Sequence, residues 1–169
     1  MPELWNTFKE PRPYVTVSGI AIDDQGRFPL IHRSENVRSA RNCWSLPSGL
    51  HEVGLTLREQ FATELKEEMG LDAIPEKSSL VGAYENIRPD GPDVLGWHWV
   101  IFVLVMRVKT LDTLVNSEPE KHDKIDIVNF RGPWFNGRTW APKLEDFLRG
   151  HHTLLQGQCE MISKATINW

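Results

Sequence analysis

The sequence predicts an α/β fold, a mixed β-sheet flanked by helices, in a single domain over residues 1–169. Three observations predict it. β-rich segments recur along the chain, two helical patterns stand well apart within it, and one of those helices carries its own start and stop signals. A chain of 169 residues suits one domain with a proper core and is short for two.

Tyr14 to Ile22 is rich in β-branched residues and predicts a strand. Asp23-Asp24-Gln25-Gly26 predicts a turn, and Phe28 to His32 a second strand completing a hairpin with the first. Arg33 to Asn42 is polar and reads as a loop. Trp44 to Pro47 reads as a short strand ended by proline, and Ser48 to Gly54, with two glycines, as irregular. Thr56 caps a helix running to Met69, Glu59 completes a capping box, and Gly70 stops it. Ser79 to Ile87 and Trp97 to Lys109 are strand candidates, with turn chemistry at Arg88-Pro89-Asp90-Gly91-Pro92. Asn116 to Lys124 is a charged loop, Ile125 to Phe130 a short strand, and Lys143 to His151 a second helix. The tail to Trp169 is weakly patterned.

Composition removes several function classes. Apolar residues make up 40% and charged residues 25%, an ordinary globular balance. The net charge of −4 disfavours stable duplex nucleic-acid binding, which rests on a basic excess, but permits a nucleotide held through a metal. No apolar run is long enough for a membrane-spanning helix, and Met1 to Trp5 shows no signal-peptide pattern. Cys43 and Cys159 fit no CxxC pattern, so a reducing, cytoplasmic compartment without structural zinc is expected.

The capped helix carries the chemistry. With Leu57 at zero and 100° per residue, Phe61 falls at about 40°, Leu65 at about 80° and Met69 at about 120°, which defines the buried stripe. Glu68 falls at about 20°, Glu64 at about −20° and Glu67 at about −80°. A solvated acidic face belongs opposite the stripe, where Glu59 and Lys66 lie. Glu64 and Glu68 instead crowd the apolar edge one turn apart, where two carboxylates repel each other and lose hydration. A hard divalent cation relieves both penalties, and Mg²⁺ keeps coordination sites for water and phosphate.

These residues resemble the Nudix box. Gly49 opens it, and Glu64-Leu65-Lys66-Glu67-Glu68-Met69-Gly70-Leu71 closes it in register. Trp44 to Gly49 is similar to the family's usual lead-in, and the likeness covers most of Val15 to Leu148. Two positions depart from it: Leu55 stands where the first glutamate is usual and Thr63 where the arginine is usual. Those two commonly pair and brace the loop against the helix, so their joint absence leaves no unpaired partner. The resemblance implies a Nudix-type α/β/α sandwich and a Mg²⁺ site, with Mn²⁺ as a substitute. It implies Glu64 and Glu68 as main ligands, Glu67 as a further ligand or water-holder, and the Ser48 carbonyl as an additional one. Family members differ in the residue that acts as base, so Glu67, Glu68 and the later-loop Glu120, with Glu118 behind it, are candidates. The Glu118-Pro119-Glu120-Lys121 string resembles the matching loop of enzymes that cleave nucleoside triphosphates. Homodimers are frequent in the family.

Arg33 and Arg41 flank the loop before the box, where either could hold a phosphate or simply be surface charge. Trp97 and Trp99 share one face of a strand, His98 the other, so Trp99 either stacks a base or belongs to the core. Trp134 and Phe135 form a pocket wall or a staple. The expected function is Mg²⁺-dependent hydrolysis of a nucleoside triphosphate, or a related nucleoside diphosphate derivative, to the monophosphate and pyrophosphate. The alternatives are a nucleotide sugar, ADP-ribose or a capped or dinucleotide substrate, and a Nudix-fold nucleotide-binding or regulatory domain weakened by Leu55 and Thr63.

Overall fold

A computed structural model describes residues 13–88 and 97–166. The N-terminal segment, residues 89–92 of the expected turn and the end of the tail lie outside them, as does the side chain of Trp97.

Two sheets form the centre. The first contains β1 (Tyr14–Ile22), β4 (Ser48–Leu50), β5 (Ala73–Arg88) and β6 (Trp97–Val108), in the order β4-β1-β6-β5. The second contains β2 (Arg27–Arg33), β3 (Trp44–Ser45) and β7 (His122–Asn129), in the order β3-β2-β7. The first sheet is mixed, since β1 runs parallel to β6 while β4 and β5 pair antiparallel to their neighbours.

Strand alternation divides two cores. Ile101, Val103 and Val105 of β6 join Ile20, Ile22, Phe28 and Leu30 on one side. Leu104, Met106 and Val108 join Val17, Ala21 and Ile31 on the other. The helix α1 (Leu57–Met69) seals the second core with Phe61, Leu65 and Met69, all fully buried. Helices α2 (Leu144–Gly150) and α3 (His152–Ser163) seal the first with Leu144, Phe147, Leu148, Leu155, Cys159 and Ile162. This is the expected α/β arrangement of a mixed sheet between helices.

The α1 boundaries follow the signals in the sequence. The Thr56 hydroxyl accepts from the Glu59 amide at 3.3 Å, and the Glu59 carboxylate accepts from the Thr56 amide at 2.8 Å. Gly70 adopts the left-handed conformation (φ 66°) that ends the helix, with Leu71 N donating to Leu65 O at 3.1 Å.

Three expectations are corrected. β1 and β2 do not form a hairpin, because both edges of β1 are taken by β4 and β6, and β2 pairs with β3 and β7. The turn itself is as expected: the Asp23 carboxylate accepts from the amides of Gln25 and Arg27 at 2.9 Å each. Residues 48–50 are not irregular but pair with β1 through Thr16, Val17 and Ser18. The weakly patterned tail forms α3, whose stripe Leu155, Cys159 and Ile162 reaches the core. β5 also begins earlier than expected and absorbs its extra residues in irregularities at Ile74/Ser78 and Leu80/Gly82. No described helix is long and apolar enough to cross a membrane.

Candidate active site

The site forms where α1, the strand β4 and the loop before β7 converge. Gly49 sits in β4 directly against α1. A β-carbon at this position would fall 1.8 Å from Glu64 Cδ and 1.9 Å from its Oε1, so only a glycine leaves room for that carboxylate. Glu64 is half-buried, and burial raises its pKa, opposed by a hydrogen bond from Gln60. Glu68, one turn on, is 6% exposed, and its Oε2 has no hydrogen-bond partner. Burial, then the charges of Glu64 and Glu118, push its carboxyl up to about 8. Glu67 is exposed. Glu64 and Glu68 border the buried stripe, as the helix angles place them, and Glu67 does not.

An orphaned buried carboxylate costs free energy unless it is protonated or ligated. Glu68 Oε2 and the Gly49 recess at Glu64 together fit a divalent cation, the group that the glutamate pattern calls for. Ser48 lies beside Gly49 in β4 and faces the adjoining cleft, so its carbonyl remains a candidate ligand.

The loop before β7 is fastened to α1 by backbone contacts. Val115 N donates to Met69 O at 3.1 Å, and Ser117 N to Glu68 O at 2.9 Å. A single helical turn follows, in which Lys121 N and His122 N both donate to Glu118 O at 2.9 Å. This turn sets Glu118 and His122 at i and i+4, and both reach Glu68: ligand atoms of the three lie within 4.8 Å of one another. Glu120, the loop residue singled out from the sequence, is exposed, and Ser34 Oγ donates to its carbonyl. Glu118, a half-buried carboxylate paired with Lys121 at 2.6 Å, occupies the inner position.

Gln60 escaped the sequence reading and does the bracing that Leu55 and Thr63 cannot. It is 1% exposed; its Oε1 accepts from Glu52 N at 2.9 Å, and its Nε2 donates to Glu64 Oε1 at 2.8 Å. One amide thus ties the box loop to the helix and aims a carboxylate. Thr63 instead bonds back to Glu59 O within its own helix. Its helix angle, about −60° from Leu57 and near that of Glu67, gave no sign of burial. Gln60→Leu removes both bonds while keeping the volume. It is expected to weaken Mg²⁺ binding by about 10- to 100-fold, as loss of a ligand-orienting partner does, which calorimetric titration measures.

A cleft of about 240 Å³ opens beside Gly49, lined by Thr16, Arg33, Ser48, Tyr84, Asn86, Trp99 and Ile101, among others. Trp99 is half-buried at its mouth and stacks on Tyr14 with centroids 4.8 Å apart. Arg33 is half-buried there and donates to Ser39 O at 3.0 and 3.2 Å; burial lowers its pKa, although Glu68 opposes that. Arg41 is exposed, bonds to Val37 O at 2.8 Å, and does not line this cleft. Trp134 and Phe135 pack with Trp140 in and against the first core, away from the glutamates. The cleft and the carboxylate cluster meet at Gly49.

The NUDIX domain model matches residues 12–146, and the chain belongs to the Nudix hydrolase family. Family members generally use divalent metals and act on small-molecule nucleotides. The chain is 40% identical, over 117 residues and 69% of its length, to the ADP-ribose pyrophosphatase of Methanocaldococcus jannaschii. It is 33% identical over 76 residues, 45% of its length, to a MutT-like protein of Streptomyces ambofaciens. It spans 64% and 45% of the lengths of these two relatives. Among solved structures, the MutT protein of Methanosarcina mazei Go1 is similar at a TM-score of 0.58, with 18% identity, 93% of this chain covered and 100% of that one. The bifunctional NMN adenylyltransferase/ADP ribose pyrophosphatase of Francisella tularensis, complexed with AMP and a Mn ion, is similar at 0.59, with 16% identity and coverage of 94% and 45%. At these identities the structures establish the fold.

Proposed function

We propose that the protein hydrolyses a diphosphate linkage in a nucleoside triphosphate or related nucleoside diphosphate derivative, with Mg²⁺ as its cofactor. The observation that carries this reading is the orphaned, buried Glu68 carboxylate beside Glu64 at the Gly49 end of an aromatic cleft. Glu64 and Glu68, with Ser48 and Glu67 in support, are the residues to hold the ion. When bound, Mg²⁺ neutralises the diphosphate, orients it and acidifies a water. Arg33 can lend a guanidinium to a phosphate at the cleft wall, and Arg41, exposed on the loop outside the cleft, is the second candidate. Glu67 on the helix, or Glu118 or Glu120 on the loop, can take the proton of the attacking water, and Glu68 can do so if it is not itself ligated. The free thiols of Cys43 and Cys159 support a cytoplasmic setting.

Two substrates compete. The Glu-Pro-Glu-Lys loop supports a nucleoside triphosphate, cleaved to the monophosphate and pyrophosphate. The Methanocaldococcus jannaschii relative supports ADP-ribose, cleaved to AMP and ribose 5-phosphate. Incubating the protein with each triphosphate, deoxytriphosphate and ADP-ribose in Mg²⁺, followed by ³¹P NMR, separates them: pyrophosphate appears only from the first class. No monophosphate from any of these would remove both substrates, and no monophosphate from nucleotide sugars or dinucleotides either would overturn the reading in favour of a binding domain.

Trp99→Ala tests the cleft. Loss of a stacking platform costs about 1–3 kcal/mol of base binding, so KM should rise by roughly 5- to 160-fold with kcat changing less. Steady-state kinetics on the best substrate reads both.

A further inference from the structure

His122 is buried at 2% exposure, yet its Nδ1 has no hydrogen-bond partner. Its Nε2 lies 3.9 Å from Glu68 Oε1. That gap is too long for a hydrogen bond and short enough for one ion to bridge, since metal–nitrogen and metal–oxygen bonds of about 2.0–2.2 Å together span it. Glu68 Oε2 is likewise buried without a partner, and ligand atoms of Glu68, Glu118 and His122 lie within 4.8 Å of one another. Glu118 completes the group at 26% side-chain exposure. The cations nearby are otherwise engaged: Arg33 with the Ser39 carbonyl and Lys121 with Glu118. The backbone reinforces the arrangement. His122 N donates to Glu118 O, and Asn116 Nδ2 donates to His122 O at 2.6 Å, fixing Glu118 and His122 relative to each other, while Ser117 N on Glu68 O holds the segment to α1.

We propose that Glu68, Glu118 and His122 form a mixed oxygen–nitrogen site for a divalent transition metal, with the His122 imidazole as a direct ligand. This rests on the hydrolytic reading for the site's purpose but makes a separate claim about its chemistry. Carboxylates alone suit Mg²⁺ and Mn²⁺; an imidazole donor shifts preference toward Co²⁺ and Zn²⁺. The metal selectivity of this protein would then be set by one residue at the start of β7, outside the glutamate helix.

The test needs no turnover. Metal-stripped protein is loaded with one equivalent of Mn²⁺ and examined by electron spin-echo envelope modulation. Imidazole ¹⁴N modulation is expected, replaced by the ¹⁵N pattern when histidine alone is labelled, and lost in His122→Gln. Titration with Co²⁺ should show affinity falling at least about tenfold in His122→Gln, with Mg²⁺ affinity changing far less. His122→Asn serves the same purpose should the glutamine variant not fold. Mn²⁺ bound by the wild type without nitrogen modulation overturns the proposal, as does modulation that survives either variant. Oxygen-only ligation with active turnover would leave the hydrolytic reading standing. Nitrogen ligation without turnover of any nucleotide would do the reverse.

Discussion

Glu68→Gln is expected to lower turnover by roughly a thousandfold or more while making the metal-free protein more stable at alkaline pH. The first half follows from charge. Glutamine keeps the shape but cannot ligate as an anion or accept a proton, and removal of one preorganised electrostatic group alone costs about 10²–10³ in rate. The second half follows from linkage. An unfolded glutamate titrates near about 4.3, whereas burial and then the charges of Glu64 and Glu118 hold Glu68 at about 8 in the fold. The raised value means that folding favours the protonated form. Stability is therefore full below the unfolded pKa and declines as pH rises through the folded one. Thermal melts in EDTA should show Glu68→Gln matching the wild type near pH 4.5 and exceeding it by several °C near pH 8.5. A variant less stable than wild type at pH 8.5 would contradict the burial argument, and one with unchanged turnover would contradict the site.

Gly49→Ala is expected to cost at least about a hundredfold in turnover with little loss of stability. The added methyl would overlap the Glu64 carboxyl group, with 1.8 to 2.2 Å to its three terminal atoms. The obstacle is the end of a side chain, so Glu64 can swing away cheaply. That movement breaks its bond from Gln60 and displaces a ligand by about an ångström, enough for losses of order 10². Denaturant unfolding beside steady-state kinetics separates the two effects. Equal losses in both would mean that Gly49 matters for folding alone.

Much of the site was legible in the sequence because one helix carries it. The capping box and Gly70 set the helix ends, and the Phe61, Leu65, Met69 stripe set its rotation. Rotation in turn placed Glu64 and Glu68 at the buried edge and Glu67 outside it, as the burial shows. What was not legible depends on distant partners. The hairpin reading of β1 and β2 failed because β6, some eighty residues on, takes the edge of β1 that β2 would need. Which loop carboxylate faces the helix is decided by the Ser117 amide on the Glu68 carbonyl. That contact turns Glu118 inward, and no local pattern distinguishes it from Glu120. Gln60 reads as an unremarkable helical amide until Glu52 is folded over it. His122 was passed over within a charged loop, although its i+4 spacing from Glu118 was a usable sign. Helix α3 carries a short stripe diluted by Gly157 and neighbouring polar residues, too weak to stand without the sheet it covers.

The central expectation is catalysis through a metal held by the glutamate helix. The most direct measurement is the turnover rate of the best nucleotide substrate with saturating Mg²⁺, after chelation with EDTA, and after Mg²⁺ is restored. The expected result is loss of product formation on chelation and full return on restoration, with Glu68→Gln inactive throughout. A rate that survives chelation, or that Glu68→Gln retains in Mg²⁺, would contradict it.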